Sequence, residues 1–154
     1  MDSFFASLGI GATGMKAQRM RMDIIAANIA NAHTTRTPEG GPYKRKDLVF
    51  AALPYDEGGQ PKSFLDMLIK AGEEEKDPQG VYVATIVEDK GEPKMVYDPD
   101  HPDANAEGYV AYPNIDVVKE MVNLLSASRS YEANVTVMNA AKSMALKTLD
   151  IGRV

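Results

Sequence analysis

The chain has 154 residues, enough for one domain with a modest core. Charged residues make up 25% and apolar residues 44%, a globular rather than a disordered balance. Cysteine is absent, which excludes disulfide staples, thiolate metal sites and cysteine nucleophiles, and the net charge of −5 gives no basic footprint for nucleic acid.

The charge is unevenly spread. Residues 1–50 carry seven Lys/Arg against four Asp/Glu, residues 51–112 carry five against fourteen, and residues 113–154 carry five against four. An acidic, solvated middle between slightly basic ends places the contact surfaces at the ends. All nine prolines lie between Pro38 and Pro113. The spacing therefore predicts a helix over 1–33, a β-rich middle over 34–112 and a second helix over 113–154. The start "MDSFFASLGIGATG" has an acid at position 2 and no basic n-region, so it does not read as a general secretory signal. No run of about 18 apolar residues reads as a membrane span.

In the N-terminal segment Leu8, Met15, Met22 and Ile29 fall on one line with a seven-residue period. Phe5, Ala12 and Ala26 fall on the interleaved line, interrupted by Arg19. This is the pattern of a helix-on-helix seam. Gly9, Gly11 and Gly14 weaken the first turns, each by up to about 1 kcal/mol relative to Ala. Near the helix end stand Asn28 and Asn31, poor interior helix formers whose amides compete for backbone groups.

The middle alternates strand and turn signals. "YKRKDLVF", "GVYVATIVED" and "YVAY" have strand composition, while "KGEP", "DPDHPD" and "AEG" read as turns. A short helix is expected near 63–71, where Ser63 and Asp66 have capping-box spacing and Gly72 closes the segment. "EEEKDPQG" reads as a solvated loop. "DPDHPD" offers Asp98, Asp100, His101 and Asp103 to a metal, but Pro102 stands where a calcium loop needs a ligand, and the stretch suits an exposed turn. A hydrolase on Asp98, Asp100 and His101 is the weakest reading, because no nucleophile motif, phosphate loop or His-Glu-x-x-His occurs. No enzyme, cofactor, metal or small-molecule substrate is expected.

The C-terminal segment repeats the seam more strongly. Val117, Met121, Leu124, Ser128, Tyr131, Val135, Met138, Lys142, Ala145 and Leu149 alternate by four and three, and eight of the ten are apolar. Ile115, Val118, Val122 and Leu125 widen the apolar face. Asn114 is the expected N-cap and Gly152 the expected stop. A helix over 115–150 would be on the order of 50 Å long.

Two stretches carry a family resemblance. "RMDIIAANIANAHTTRTPEGGPYKRKDLVF" resembles the N-terminal signature of bacterial flagellar rod and hook proteins, matching at Ala27, Asn28, Ile29, Ala30, Asn31 and Ala32, then Thr34 and Thr35, then Pro42, Tyr43 and Lys44. "YPNIDVVKEMVNLLSASRSYEANVTVMNAAKSMALKTLDIGR" resembles the partner signature, most specifically at Glu120–Asn123, Ser126–Asn134 and Lys147–Leu149. Residues 54–78 match less well and read as longer than the family norm.

The resemblance implies an α+β fold whose long terminal helices pack as a coiled coil around a small β-rich middle. It implies a structural subunit of the flagellar basal body, polymerising through its terminal helices into the proximal rod. Its partners would be copies of itself, other flagellar rod proteins and the flagellar type III export apparatus, with no direct membrane contact. It would leave the cytoplasm without a cleaved signal peptide and act in the periplasmic rod. Expected assembly residues are Leu8, Met15, Met22, Ile29, Val117, Met121, Leu124, Tyr131, Val135, Met138 and Leu149. Expected helix-to-domain junction residues are Asn28, Asn31, Thr34, Thr35 and Tyr43. The runners-up are a distal rod or hook subunit, disfavoured by the short middle, and a coiled-coil adaptor outside the flagellum.

Overall fold

A computed structural model of the chain describes residues 2–52 and 80–151. The elements run α1 (Asp2–Ala30), β1 (Lys46–Ala52), β2 (Val81–Glu88), β3 (Lys94–Tyr97), β4 (Tyr109–Tyr112) and α2 (Val117–Ile151). The fold is α+β, as expected, with helices of 29 and 35 residues at the two ends. The expected helix near 63–71, the acidic loop after it and Gly152 lie outside the described residues. β1 pairs with β2, and β3 with β4. Strand β3 is new relative to the sequence reading: "KMVY" between two turns is too short to show a period.

Contacts group the chain into two units. One contains the described residues up to Arg19, β1 from Phe50, β2 to Ala84, and α2 from Ser128; the other contains Met20–Val49 and Thr85–Ala127.

In the first unit α1 and α2 approach in opposite directions, with Gly11 against Met138 and Gly14 against Asn134. A Cβ at Gly11 would lie 2.9 Å from Met138 Cγ, and one at Gly14 would lie 3.0 Å from Asn134 Nδ2. These glycines therefore make room for the second helix. Ala17 and Ala141 are buried here too, so small residues line the close approach. The Thr13 hydroxyl donates to the Ile10 carbonyl at 2.8 Å and accepts from the Val81 N–H at 3.2 Å, tying α1 to the start of β2.

In the second unit the hairpin β3–β4 is antiparallel, with Lys94 opposite Tyr112 and Tyr97 opposite Tyr109. The Tyr97 and Tyr109 rings meet edge-on with centroids 5.3 Å apart. The connecting "DPDHPDANAEG" closes on itself: Asp98 N–H donates to the Gly108 carbonyl, and Asn105 Oδ1 accepts from Glu107 and Tyr109 N–H. Gly108 takes φ +79, a conformation L side chains rarely adopt. Helix α2 begins later than expected. Asp116, not Asn114, is the N-cap: its Oδ1 accepts from Val118 N–H at 3.0 Å and Lys119 N–H at 3.2 Å.

On each helix one expected line is at least half-covered (Leu8, Met15, Met22 and Ile29 in α1), and the interleaved line is displaced. In α1 the covered positions include Gly11, Gly14, Gln18, Arg21, Ile25 and Asn28, while Ala12 and Ala26 are exposed. In α2 the line Val117, Leu124, Tyr131, Met138, Ala145 is covered as expected. The interleaved line moves back one position, to Glu120, Ala127, Asn134 and Ala141.

If the close approach matters more than helix propensity, Gly11→Val should lower stability by about 1–3 kcal/mol through overpacking. Urea unfolding of the purified chain measures this, and an unchanged or raised midpoint would show that the glycine is not needed for packing.

Candidate functional site

The junction where α1 ends is organised by one side chain. Asn28 is fully buried. Its Nδ2 donates to the Lys46 carbonyl at 2.8 Å and to Glu120 Oε2 at 3.1 Å. Its Oδ1 accepts from Lys46 N–H at 2.9 Å and from the Tyr43 hydroxyl at 3.2 Å. An amide has two donors and two acceptor lone pairs, and all four are used. The partners come from the start of β1, the segment leading into it, and α2.

Glu120 is only 2% exposed. Its Oε1 receives Arg45 Nε and Nη2, each at 3.0 Å, a forked guanidinium–carboxylate pair. Arg45 also reaches Asp47 Oδ2 at 3.1 Å. Partial burial alone would lower the Arg45 guanidinium, but the hydrogen bonds to Glu120 and Asp47 outweigh it and hold it above its ordinary value. Burial, aided by the Glu88 carboxylate, pushes the Tyr43 hydroxyl up, so it stays protonated and can donate to Asn28. Glu120 also sits in the first turn of α2, where a negative charge suits the helix dipole.

Asn31 has a different task. Its Nδ2 donates to the Ala27 carbonyl at 2.9 Å, near the helix end, and its Oδ1 accepts from the Thr34 hydroxyl at 3.1 Å. It closes the helix locally. Beyond it the chain turns back, with Tyr43 N–H donating to the Thr34 carbonyl and Thr37 N–H to the Gly41 carbonyl. Gly40 and Gly41 carry φ of +88 and +77 in this turn. The Thr35 hydroxyl donates to Asp103 Oδ2 at 2.8 Å, which fastens the "DPDHPD" loop to the segment leaving α1. His101 Nδ1 accepts from Asp103 N–H, and its ring lies edge-on to Tyr112. Among the described residues no group of three His, Asp or Glu could hold a metal ion.

The junction residues Asn28, Asn31, Thr34, Thr35 and Tyr43 are thus brought together, and sequence reasoning missed Arg45 and Glu120. Arg45 read as part of a strand start and Glu120 as part of the C-terminal signature, with no link between them. Their separation of 75 residues left no local signal.

Of the expected assembly residues, Leu8, Met15, Met22, Ile29, Val117, Leu124, Tyr131, Val135 and Met138 are half-buried, and Met121 and Leu149 are exposed. The largest exposed apolar side chains of α2 fall in two groups. Val118, Met121, Val122 and Leu125 share one face of the first turns, with Val118 71% exposed. Val137, Met144, Leu146, Leu149 and Ile151 stand out towards its end, with Ile151 76% exposed. No described helix is long and apolar enough to cross a membrane.

Paired terminal helices with these signatures, joined through a strand-rich middle, define the class of bacterial flagellar rod proteins. Residues 8–36 match the family described as "Flagella basal body rod protein", and residues 106–151 match "Flagellar basal body rod FlgEFG protein C-terminal". Among full-length relatives, the chain is 46% identical to the flagellar basal-body rod protein FlgC of Borreliella burgdorferi over 154 residues, covering 96% of each chain. It is 45% identical to FlgC of Bacillus subtilis over 97% of this chain and 98% of the relative. With FlgC of Salmonella typhimurium it shares 42% identity over 94% of each. The chain belongs to the FlgC family of flagellar basal-body rod proteins. The near-equal coverage corrects one expectation: relatives of matching length show that residues 54–78 do not make this chain unusually long. Both matched segments include a member of the buried network, Asn28 in the first and Glu120 in the second.

The two asparagines should separate in a mutational test. Asn28→Ala strands a buried carboxylate oxygen and two backbone groups, and should cost about 3 kcal/mol. Asn31→Ala loses half-buried local bonds, and should cost about 1 kcal/mol. Urea denaturation of both variants checks this, and equal losses would make Asn28 a simple helix-end residue. A double-mutant cycle on Arg45→Leu and Glu120→Leu should give a coupling of about 2 kcal/mol; strict additivity would mean the forked pair adds nothing.

Proposed function

We infer that this chain is a structural, non-catalytic subunit of the proximal rod, polymerising through its terminal helices with copies of itself and with other flagellar rod proteins. The observation that carries this is the exposed apolar surface of α2. A 35-residue helix that leaves Val118, Met121, Val122 and Leu125 in water on one face is incompletely covered by its own chain. Exposed apolar patches of this kind mark assembly surfaces. Leu8, Met15, Met22 and Ile29 on α1, and Val117, Leu124, Tyr131, Val135 and Met138 on α2, are half-covered in the single chain. On this reading neighbouring subunits complete their burial, and Leu149 joins the contact near the end of α2. Head-to-tail contacts between unlike faces produce open helical tubes where the rotation between subunits does not close a ring.

The β-rich middle then stands outside the helical tube, positioned by Asn28, Asn31, Thr34, Thr35 and Tyr43. The chain reaches the periplasm through the flagellar type III export apparatus and makes no direct membrane contact. The acidic middle and the absence of cysteine suit delivery as an unfolded chain and refolding at the growing end.

The test uses residues that face out. Val122→Asp with Leu125→Asp should leave the circular dichroism and unfolding midpoint of the purified chain nearly unchanged, within about 0.5 kcal/mol. In cells the same pair should abolish rod assembly and swimming. Normal swimming with the double substitution would overturn the assembly reading.

A further inference from the structure

We propose that Met121 is an oxidation-sensitive site at which a peroxide decides whether the subunit can be assembled. This rests on the assembly reading of the exposed α2 face. The chain has nine methionines and no cysteine, so methionine is its only sulfur. Met138 lies packed against Gly11, and Met15, Met20 and Met22 are half-buried. Met121 is 53% exposed.

What singles out Met121 is its surroundings. The helical neighbours at three and four residues on either side are Val117, Val118, Leu124 and Leu125, and all are apolar. Val122 adjoins them and is exposed as well. Met144 is also exposed, but its corresponding neighbours include Lys147, whose ammonium offers donors. Met95 on β3 is as exposed as Met121 but lies off the helix.

The chemistry needs only hydrogen peroxide. A thioether lone pair attacks one peroxide oxygen, the O–O bond breaks and an S–O bond forms. Sulfur is oxidised by two electrons; the departing hydroxide takes the other peroxide proton and leaves as water. The product sulfoxide is a strong acceptor on a formerly apolar side chain. At Met121 none of the four helical neighbours at three and four residues can donate to it, so burying it against another subunit leaves it unsatisfied. At Met144 the same change is solvated by Lys147. The free subunit is therefore vulnerable at Met121, and a subunit already in the rod is shielded there.

Two measurements test this. In the purified full chain treated with hydrogen peroxide, peptide mass spectrometry should show Met121 and Met95 converting at similar rates, about tenfold faster than Met138. Oxidation of Met121 no faster than Met138 overturns the proposal. In cells, Met121→Gln, which mimics the sulfoxide's polarity, should lower the yield of assembled rods about tenfold, the scale of one unsatisfied buried acceptor. Met121→Leu and Met144→Gln should assemble normally, and the circular dichroism of all three should match wild type. Normal assembly of Met121→Gln overturns the redox proposal. If Val122→Asp with Leu125→Asp still blocks assembly in that case, the assembly reading stands without it; if that pair also assembles, both fall.

Discussion

The four hydrogen bonds of the Asn28 amide are the constraint on which the junction depends. A buried amide is tolerated only when its donors and acceptors are matched. Here the match requires the main chain of Lys46 to pass on one side and the Glu120 carboxylate to lie on the other. Glu120 in turn is tolerable in a buried position only because Arg45 forks onto its other oxygen. Removing any one member takes a hydrogen-bond partner from a buried polar group. The network therefore fixes, with few alternatives, where the chain leaves α1, where β1 starts, and how the first turns of α2 meet them. Apolar packing alone is less selective, since a slide of one helical position changes a Val–Leu contact only slightly.

This gives the small residues of the seam a coherent role. Gly11, Gly14, Ala17, Ala127 and Ala141 contribute little apolar area of their own. They let backbones approach and leave room for larger side chains of the facing helix, as Gly11 does for Met138. The first turns of α2 leave Val118, Met121, Val122 and Leu125 exposed. The cost is a helix start that contains glycine, about 1 kcal/mol per residue of lost propensity. That cost is offset where Gly11 receives Met138 and Gly14 receives Asn134.

Much of this was legible in the sequence, and the errors share one cause. The helices, three of the four described strands and the turn glycines follow from periodicity and turn chemistry, which are local. The interleaved line of each helix lies one position back from the apolar pattern, because a hydrophobic pattern reports where apolar side chains are, not where another helix lies. Gly14 and Asn134 meet in a contact that neither residue type advertises. Likewise Asp116 displaced Asn114 as the cap of α2, since both residue types cap well and only the backbone path through Pro113 and Ile115 decides between them. The Arg45–Glu120 pair was invisible because nothing in "YKRK" or "VVKEMV" points to a partner 75 residues away.

Asn28 and Asn31 show how far a motif can be read and where physics must finish the reading. Both belong to one short signature, and both were expected at the junction. Asn31 acts within one turn of its own helix, through Ala27 and Thr34, and any helix end could use it so. Asn28 reaches residues 18 and 92 positions away. A local cap can be replaced by another residue or by water at modest cost. A side chain that satisfies two other segments at once has no substitute of the same shape and hydrogen-bonding pattern: Asp would set a second carboxylate beside Glu120, and Leu would strand the Lys46 backbone. The demand for asparagine at position 28 thus comes from the tertiary fold, and the demand at position 31 from the helix end alone.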